Sequence, residues 1–435
     1  MKVAIIGCGF VGLATGVTLA HLGHRVRLVE IDEVRLSSIQ KGEAPFYEPD
    51  LSSMLSKGLI SKKISAGSSI GEAVQASDII IVSVQTPPLK TGAPKLKHLK
   101  DAVGEIAKPL AKGKIVVVRS TVPPGTTDAL VTPILERGSG LSAGKDFGVA
   151  MSPEFLQEGR AVRDSLNPDR IVVGADSKKT GRSVLRLFEK LEAPKISTDT
   201  VTAEMVKYVS NCFLATKISY SNEIANLCER FGTDVNDVME AVGLDPRIGD
   251  QFLRAGLGFG GSCLPKDLAA LIATAESVGY RPELLRAVQR VNDSQPLRAV
   301  SMLEEELGDL AGKRICVLGL AFKAGVDDIR DTKAFPIAVE LLARGAKVVG
   351  YDPMASASFI KLLPEISYAA SAREALYEAD GCIIQTEDKE FSGLGKEDFE
   401  LMSNRFVIDG RRALSPKKLS RWGVKLRAIG LGRSA

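Results

Sequence analysis

"KVAIIGCGFVGLATGVTLAHLGHRVRLVEID", residues 2–32, decides the fold. "KVAII" is a short apolar run of the kind buried in a parallel sheet. Gly7, Gly9 and Gly12 follow in G-x-G-x-x-G spacing, and a helical pattern then runs to Leu22 and stops at Gly23. "HRVRLV" is a second strand with Glu30 at its tip. Glycines at this spacing are weak evidence alone. Strand, glycine turn, helix, strand and terminal acid together specify a dinucleotide crevice. The glycines permit a tight turn and close approach of a pyrophosphate, and the helix N-terminus receives its charge. Phe10 and Val11 sit inside the turn, and Glu30 is placed to bind ribose hydroxyls and repel a 2′-phosphate. That predicts NAD rather than NADP, an inference that Arg27 and Arg35 nearby oppose. The alternative is a parallel α/β turn that binds nothing.

Working outward, apolar strands recur at "SDIIIVSV", "GKIVVVRSTVPPGT", "DFGVAMSPEFL" and "RIVVGA", alternating with helical segments to about residue 197. A helical pattern of about 30 residues, "TAEMVKYVSNCFLATKISYSNEIANLCERFG", comes next. Lys207, Asn211 and Asn222 fall on one of its faces, as a functional row or a solvated stripe. The chain then starts again. "RICVLGLAF", "FPIAVELLARG" and "AKVVGYDP" imitate the opening unit without its full glycine motif. The expected fold is α/β: two Rossmann-like doubly wound parallel-sheet domains joined by a long central helix and a helical dimerisation region. The expected boundaries are 1–197, 198–296 and 312–435.

Composition narrows the chemistry. The 435 residues are 25% charged with a net charge of +4 and no long basic run, which argues against a nucleic-acid or membrane partner. There are six cysteines and no C-x-x-C pair, so no metal site is expected and the pattern suits a reducing cytoplasm. Five lie in apolar surroundings. Cys263 alone lies among glycines, in "GLGFGGSCLPKDL", residues 256–268. A lysine beside a thiol favours the nucleophilic thiolate, although the stretch also fits a surface turn with an incidental cysteine. The three histidines, His21, His24 and His98, all precede the middle of the chain. A centre built from later residues must use Lys, Asp, Glu, Cys, Thr or Asn.

In sequence order, "GCGFVGL", "PFYEPDL", "STVPPGTT", "PEFLQEG", "PDRIVVG", "AEMVKYVSNCFLATKISYSNE", "DPRIG", "GFGGSCLPKD", "FKAGVDDIRDT" and "DGRR" make the chain resemble the nucleotide-sugar 6-dehydrogenases. The resemblance runs nearly end to end. It implies oxidation of a sugar C6 alcohol to a carboxylate with two NAD, through a thiohemiacetal and a thioester on Cys263. It also implies that Lys207 and Asn211 surround C6, that Asp267 and Thr121 position a water that takes the alcohol proton, and that Glu154 activates water for thioester hydrolysis. By the same resemblance Phe155, Leu156, Glu158, Arg247, Phe252, Leu253, Gly260, Phe322, Lys323 and Arg411 contact the substrate. Arg247 would enter the site of a neighbouring subunit in a homodimer or dimer-based oligomer. Thr86, Glu158, Lys266 and Arg330 join Gly7, Gly9, Phe10, Val11, Gly12, Glu30, Arg35 and Thr121 as cofactor contacts. Glu30 where aspartate is usual, Ser152 where asparagine is usual and Gln85 in place of a glycine are departures that bear on cofactor geometry.

"GGSC" disfavours the N-acetylhexosamine branch, which carries a histidine before the cysteine. GDP-mannose enzymes share much of the pattern. "DPRIGDQFLRAG" and "NEIANLCE" are similar to the UDP-glucose branch, so UDP-glucose is the expected substrate. Two other classes stay open: a two-electron hydroxyacid dehydrogenase with a shared Rossmann start, and a non-catalytic nucleotide sensor.

Overall fold

In the computed structural model, which describes residues 1–432, successive residues of the first strand serve opposite faces of a sheet. Val3 and Ile5 enter one buried cluster, and Ala4 and Ile6 enter another. A strand buried on both sides must be apolar throughout, which is why "VAII" shows no alternation. The sheet has eight strands: β1 (Lys2–Ile6), β2 (Arg25–Val29), β3 (Ile64–Gly67), β4 (Ile79–Val82), β5 (Ile115–Val118), β6 (Gly148–Met151), β7 (Ile171–Ala175) and β8 (Lys195–Thr198). Their order is β3-β2-β1-β4-β5-β6-β7-β8. The parallel sheet expected from the sequence is found, with one pair reversed: β7 runs antiparallel to β6, Met151 opposite Gly174. A parallel crossover needs a dozen or more residues and usually a full helix. Here residues 152–170 hold only a six-residue helix, Ala161–Leu166. The connection therefore stays at the carboxyl end of the sheet, where open α/β sheets bind ligands.

The second sheet repeats the pattern with β9 (Arg314–Leu318), β10 (Lys347–Tyr351), β11 (Ser367–Tyr368), β12 (Gly381–Ile384), β13 (Phe406–Asp409) and β14 (Lys425–Ala428), in the order β11-β10-β9-β12-β13-β14. All its pairs are parallel. Ile315 and Val317 face one core and Cys316 and Leu318 the other. The restart read in the sequence is a structural repeat. Gly7 and Gly319 both have φ +94, and each donates its N–H to the last residue of the neighbouring strand, Val29 and Tyr351.

Packing divides the chain into two compact units, Met1–Ser210 and Asn211–Ala435. The 32-residue helix Thr200–Phe231 runs through that boundary, somewhat longer than its sequence pattern. At 1.5 Å per residue it is about 48 Å long. Among the described residues, no helix is long and apolar enough to cross a membrane.

Candidate active site and cofactor cleft

At the first glycine turn, close packing and open space alternate. A Cβ on Gly12 would sit 1.9 Å from the Gly7 carbonyl oxygen, and one on Gly7 2.6 Å from the Ser83 carbonyl oxygen. Both glycines are thus required by packing of the helix Phe10–His21 and the β4 end. A Cβ on Gly9 would meet nothing within 4 Å. That open side lies on a cleft of about 530 Å³ lined by Gly7, Gly9, Glu30, Arg35, Ser83 and Val84. The cradle and the acid fit a dinucleotide: the open side of Gly9 would admit a closely lying pyrophosphate, and Glu30 would accept from ribose hydroxyls. The Glu30 carboxylate accepts the N–H groups of Cys8, Ile31 and Asp32 at 3.2, 2.9 and 3.1 Å, which fixes the side chain's position at the strand tip. Arg27 is paired with Glu72, and Arg35 lines the cleft. Phe10 packs on Phe46 with ring centroids 5.6 Å apart. Farther along the strand ends, Thr86 donates to the Thr121 carbonyl at 2.8 Å.

The same unit holds a buried ion pair. Lys207 Nζ lies 2.9 Å from Glu154 Oε1, with side-chain exposures of 3% and 5%. Glu154 Oε2 accepts the Leu156 N–H at 2.7 Å. Burial alone would raise the carboxyl's pKa, but the Lys207 ammonium, its hydrogen bond and the Leu156 N–H outweigh it, and Glu154 is held below the ordinary carboxylate range. Phe155 lies under the Arg170 guanidinium at 3.9 Å and near Lys207 at 5.7 Å. Glu158, half-buried, follows in the same connection. Glu204 was not singled out by the sequence reading. It accepts from Thr127 N, Thr127 Oγ1 and Gly125 N at 2.8, 2.6 and 2.5 Å, pinning the loop that carries Thr121. Its place one turn before Lys207 was the available signal.

The second unit holds the thiol. Cys263 is exposed and is the N-cap of the helix Leu264–Ser277, with Pro265 in its first turn. A helix N-terminus favours a negative group there, and the Ser262 hydroxyl lies 3.5 Å from the sulfur. The other five cysteines are buried; burial pushes the Cys212 thiol up to about 12. Asp267 is fully buried and accepts from Asn211 Nδ2 at 2.6 Å and Lys266 Nζ at 2.5 Å. Lys207 and Asn211 are one turn apart on the continuous long helix, and they and Asn222 are buried, so the polar row is not a solvated stripe.

The glycines before Cys263 are explained by neighbouring chain. A Cβ on Gly260 would lie 2.3 Å from the Asp331 carbonyl oxygen, and one on Gly261 2.7 Å from the Phe322 ring. Gly261 donates to the Arg330 carbonyl at 2.9 Å. Buried amides hold the loop: Asn222 accepts from Gly256 N at 2.7 Å, Gln295 donates to the Gly256 carbonyl at 3.0 Å, and Asn292 bonds both Phe259 N and O at 2.7 and 3.1 Å. Asn292 and Gln295 lay outside the sequence-derived set; they are buried on the helix Glu283–Leu307, whose many other polar residues gave nothing to set them apart. Phe252 has φ 64, and Asp331 and Arg412, beside Arg330 and Arg411, have φ 50 and 55. Backbone outliers of this kind cluster at ligand sites. Leu253 is buried, Lys323 sits 5.5 Å from the Phe322 ring, and exposed Arg330 pairs with Asp328. Arg411 is bidentate to Glu387 at 2.7 and 3.0 Å. Arg247 is exposed and paired with Asp245 at 2.6 Å.

The sequence matches the UDP-glucose/GDP-mannose dehydrogenase family in all three of its parts: the NAD binding domain over residues 1–192, the central domain over 201–294 and the UDP binding domain over 316–416. The chain belongs to this family. It is an oxidoreductase with NAD as cofactor and a UDP-sugar as substrate. A UDP-glucose 6-dehydrogenase of Haloferax volcanii is 42% identical over 426 residues, 96% of this chain and 98% of the relative. Among solved structures, a UDP-glucose dehydrogenase from Pyrobaculum islandicum superposes with a TM-score of 0.90 at 38% identity, covering 98% of this chain and 97% of its own. A UDP-D-ManNAc dehydrogenase from Pyrococcus horikoshii gives 0.89 at 29% identity, covering 99% of both chains. The family membership displaces the hydroxyacid-dehydrogenase and sensor readings. The similar TM-scores mean that overall fold does not by itself select the sugar.

Proposed function

We propose that the chain oxidises UDP-glucose to UDP-glucuronate with two NAD, through a covalent intermediate on Cys263. The observation that carries this reading is an exposed thiol at the N-cap position of a helix, in a segment without histidine, within a family whose UDP-glucose members are about 40% identical. NAD, when bound, accepts a hydride at each oxidation. In the first, C6 of the sugar loses a hydride and its hydroxyl proton, with Thr121 and the Asp267–Asn211 pair orienting the water that takes the proton. The Cys263 thiolate then adds to the aldehyde carbon, and the Lys207 ammonium and Asn211 amide stabilise the resulting oxyanion. Loss of the second hydride leaves a thioester. Glu154, ionised beside Lys207, takes a proton from water as it attacks the acyl carbon; the C–S bond breaks and the acid is released.

Phe155, Leu156, Glu158, Phe252, Leu253, Gly260, Phe322, Lys323 and Arg411 are assigned to the sugar nucleotide. Thr86, Glu158, Lys266 and Arg330 are assigned to the cofactor, alongside the glycine turn, Glu30 and Arg35. Residues 1–197, 198–296 and 312–435 serve as cofactor, central and nucleotide-sugar segments. The enzyme works as a homodimer in a reducing cytoplasm, with Arg247 reaching the partner's site. Counting NADH tests the reading: two per UDP-glucose, with UDP-glucuronate as product, is expected. A reaction that stops at the aldehyde with one NADH would refute it.

A further inference from the structure

Behind Glu154 lies a polar recess of about 110 Å³ in the unit Met1–Ser210. Thr18 of the helix Phe10–His21, Arg119 at the end of β5 and Ser165 of the helix Ala161–Leu166 line it together with Glu154. Two hydroxyls, Thr18 Oγ1 and Ser165 Oγ, are buried and have no protein partner. Arg119 donates to Thr15 Oγ1 at 2.9 Å and to the Ser152 carbonyl at 3.2 Å, which fixes the turn leading into Glu154. Burial lowers its pKa to about 10, and the Glu154 carboxylate opposes that fall. Dry cavities are apolar, whereas a recess with unsatisfied polar groups and room for a probe sphere or more holds water on two to four partners. A buried hydroxyl left without any partner carries a desolvation penalty that water removes.

We propose that this recess is a built water site that supplies the hydrolytic water to Glu154. The inference rests on the thioester mechanism given above. Hydrolysis consumes one water per turnover, while hydride transfer is best served by a site from which bulk water is excluded. A side store on the carboxylate's own flank meets both needs. Water anchored by Thr18 and Ser165 moves to Glu154, which removes its proton as the oxygen bonds to the acyl carbon. The thiolate of Cys263 then leaves and the product carboxylic acid ionises. The charged groups facing Glu154 are Lys207 from the long helix and Arg119 from the end of β5, while Arg160, Asp164, Asp169 and Arg170 complete the charged rim.

A crystal structure at a resolution that orders water tests the site directly. Waters within hydrogen-bond distance of Thr18 Oγ1 and Ser165 Oγ are expected, and a dry recess overturns the proposal. Rapid-quench kinetics with UDP-glucose test the role. In Thr18→Val and Ser165→Ala, singly and together, the initial burst of two NADH per active site should keep its rate. The steady state should fall about tenfold or more, with acyl-enzyme accumulating on the Cys263 peptide. Unchanged steady-state rates overturn the proposal, and so does a burst slowed as much as the steady state, because that is the signature of general distortion. Ser165→Ala, on a short helix, keeps the test available where Thr18→Val folds poorly. A parent enzyme that releases the aldehyde with one NADH refutes the mechanism and the water site with it; a normal parent with fully active variants refutes the water site alone.

Discussion

In the proposed mechanism, Cys263 and Glu154 divide the chemistry at the residue scale. Replacing the thiol should separate the steps by substituent. Cys263→Ala leaves no atom to form the adduct, so turnover should be lost. Cys263→Ser can still attack the aldehyde, but the resulting oxygen ester lacks the thioester's reactivity, so acyl-enzyme should accumulate and be visible by intact mass. Near-normal turnover by Cys263→Ala would contradict the covalent route. Glu154 offers a prediction in pH. Its pKa is depressed by Lys207 against the opposing effect of burial. The pair therefore contributes stability that is present above the ordinary carboxylate range and lost as pH falls through the depressed value. In Lys207→Met the burial remains with only the Leu156 N–H and the more distant Arg119 to oppose it, and the Glu154 pKa should move upward. The acidic limb of the single-turnover hydrolysis rate should shift to higher pH, and stability should drop by about 3–5 kcal/mol, the usual cost of orphaning one member of a buried pair. An unshifted limb would mean that another group limits hydrolysis.

At the scale of the element, the loop before Cys263 depends on residues far away in sequence. Asn292→Ala would leave the buried Phe259 N–H and carbonyl without their amide, at a cost of about 1–3 kcal/mol each when unsatisfied. The thiol's loop should loosen, lowering kcat about tenfold or more while the Kd for NAD stays near that of the parent. Loss of NAD binding instead would place the damage elsewhere. This dependence marks the limit of what was legible in the chain. The glycine turn at Gly7–Gly12, its Glu30 and the repeat at Gly319 could be read because their causes are local: a φ, a close approach, a strand's own burial. The amides of Asn222, Asn292 and Gln295 converge on Gly256 and Phe259 only after folding, so Asn292 and Gln295 were invisible and Asn222 was only a polar residue on a face. Glu204 is the same case, its three donors lying some 77–79 positions away. The reversal of β7 was unreadable for a different reason: an apolar run such as "RIVVGA" encodes burial on both faces but not direction.

At the scale of the whole molecule, the long helix leaves an apolar row uncovered. Val201, Met205, Val209, Phe213, Tyr220, Leu227 and Phe231 recur at spacings of four and seven, which keeps them on one side of a helix. All are exposed, Val209 at 50%, Phe213 at 64% and Phe231 at 82%. Contiguous exposed apolar rows of this kind mark interaction surfaces, and the same row on a second copy is a self-complementary partner, as a two-fold interface requires. A stable interface buries about 800 Å² on each side, an area that a helix about 48 Å long can supply together with its flanking residues. Light scattering should find a dimer. Phe213→Glu combined with Val209→Lys should disperse it, since charges on the row would be desolvated on association. If Arg247 completes the partner's site, the dispersed monomer should lose turnover and bind UDP-glucose more weakly, yet largely keep the Kd for NAD, whose glycine turn, Glu30 and Arg35 all line a cleft within Met1–Ser210. A monomer with full activity would rule out both the interface and the role of Arg247.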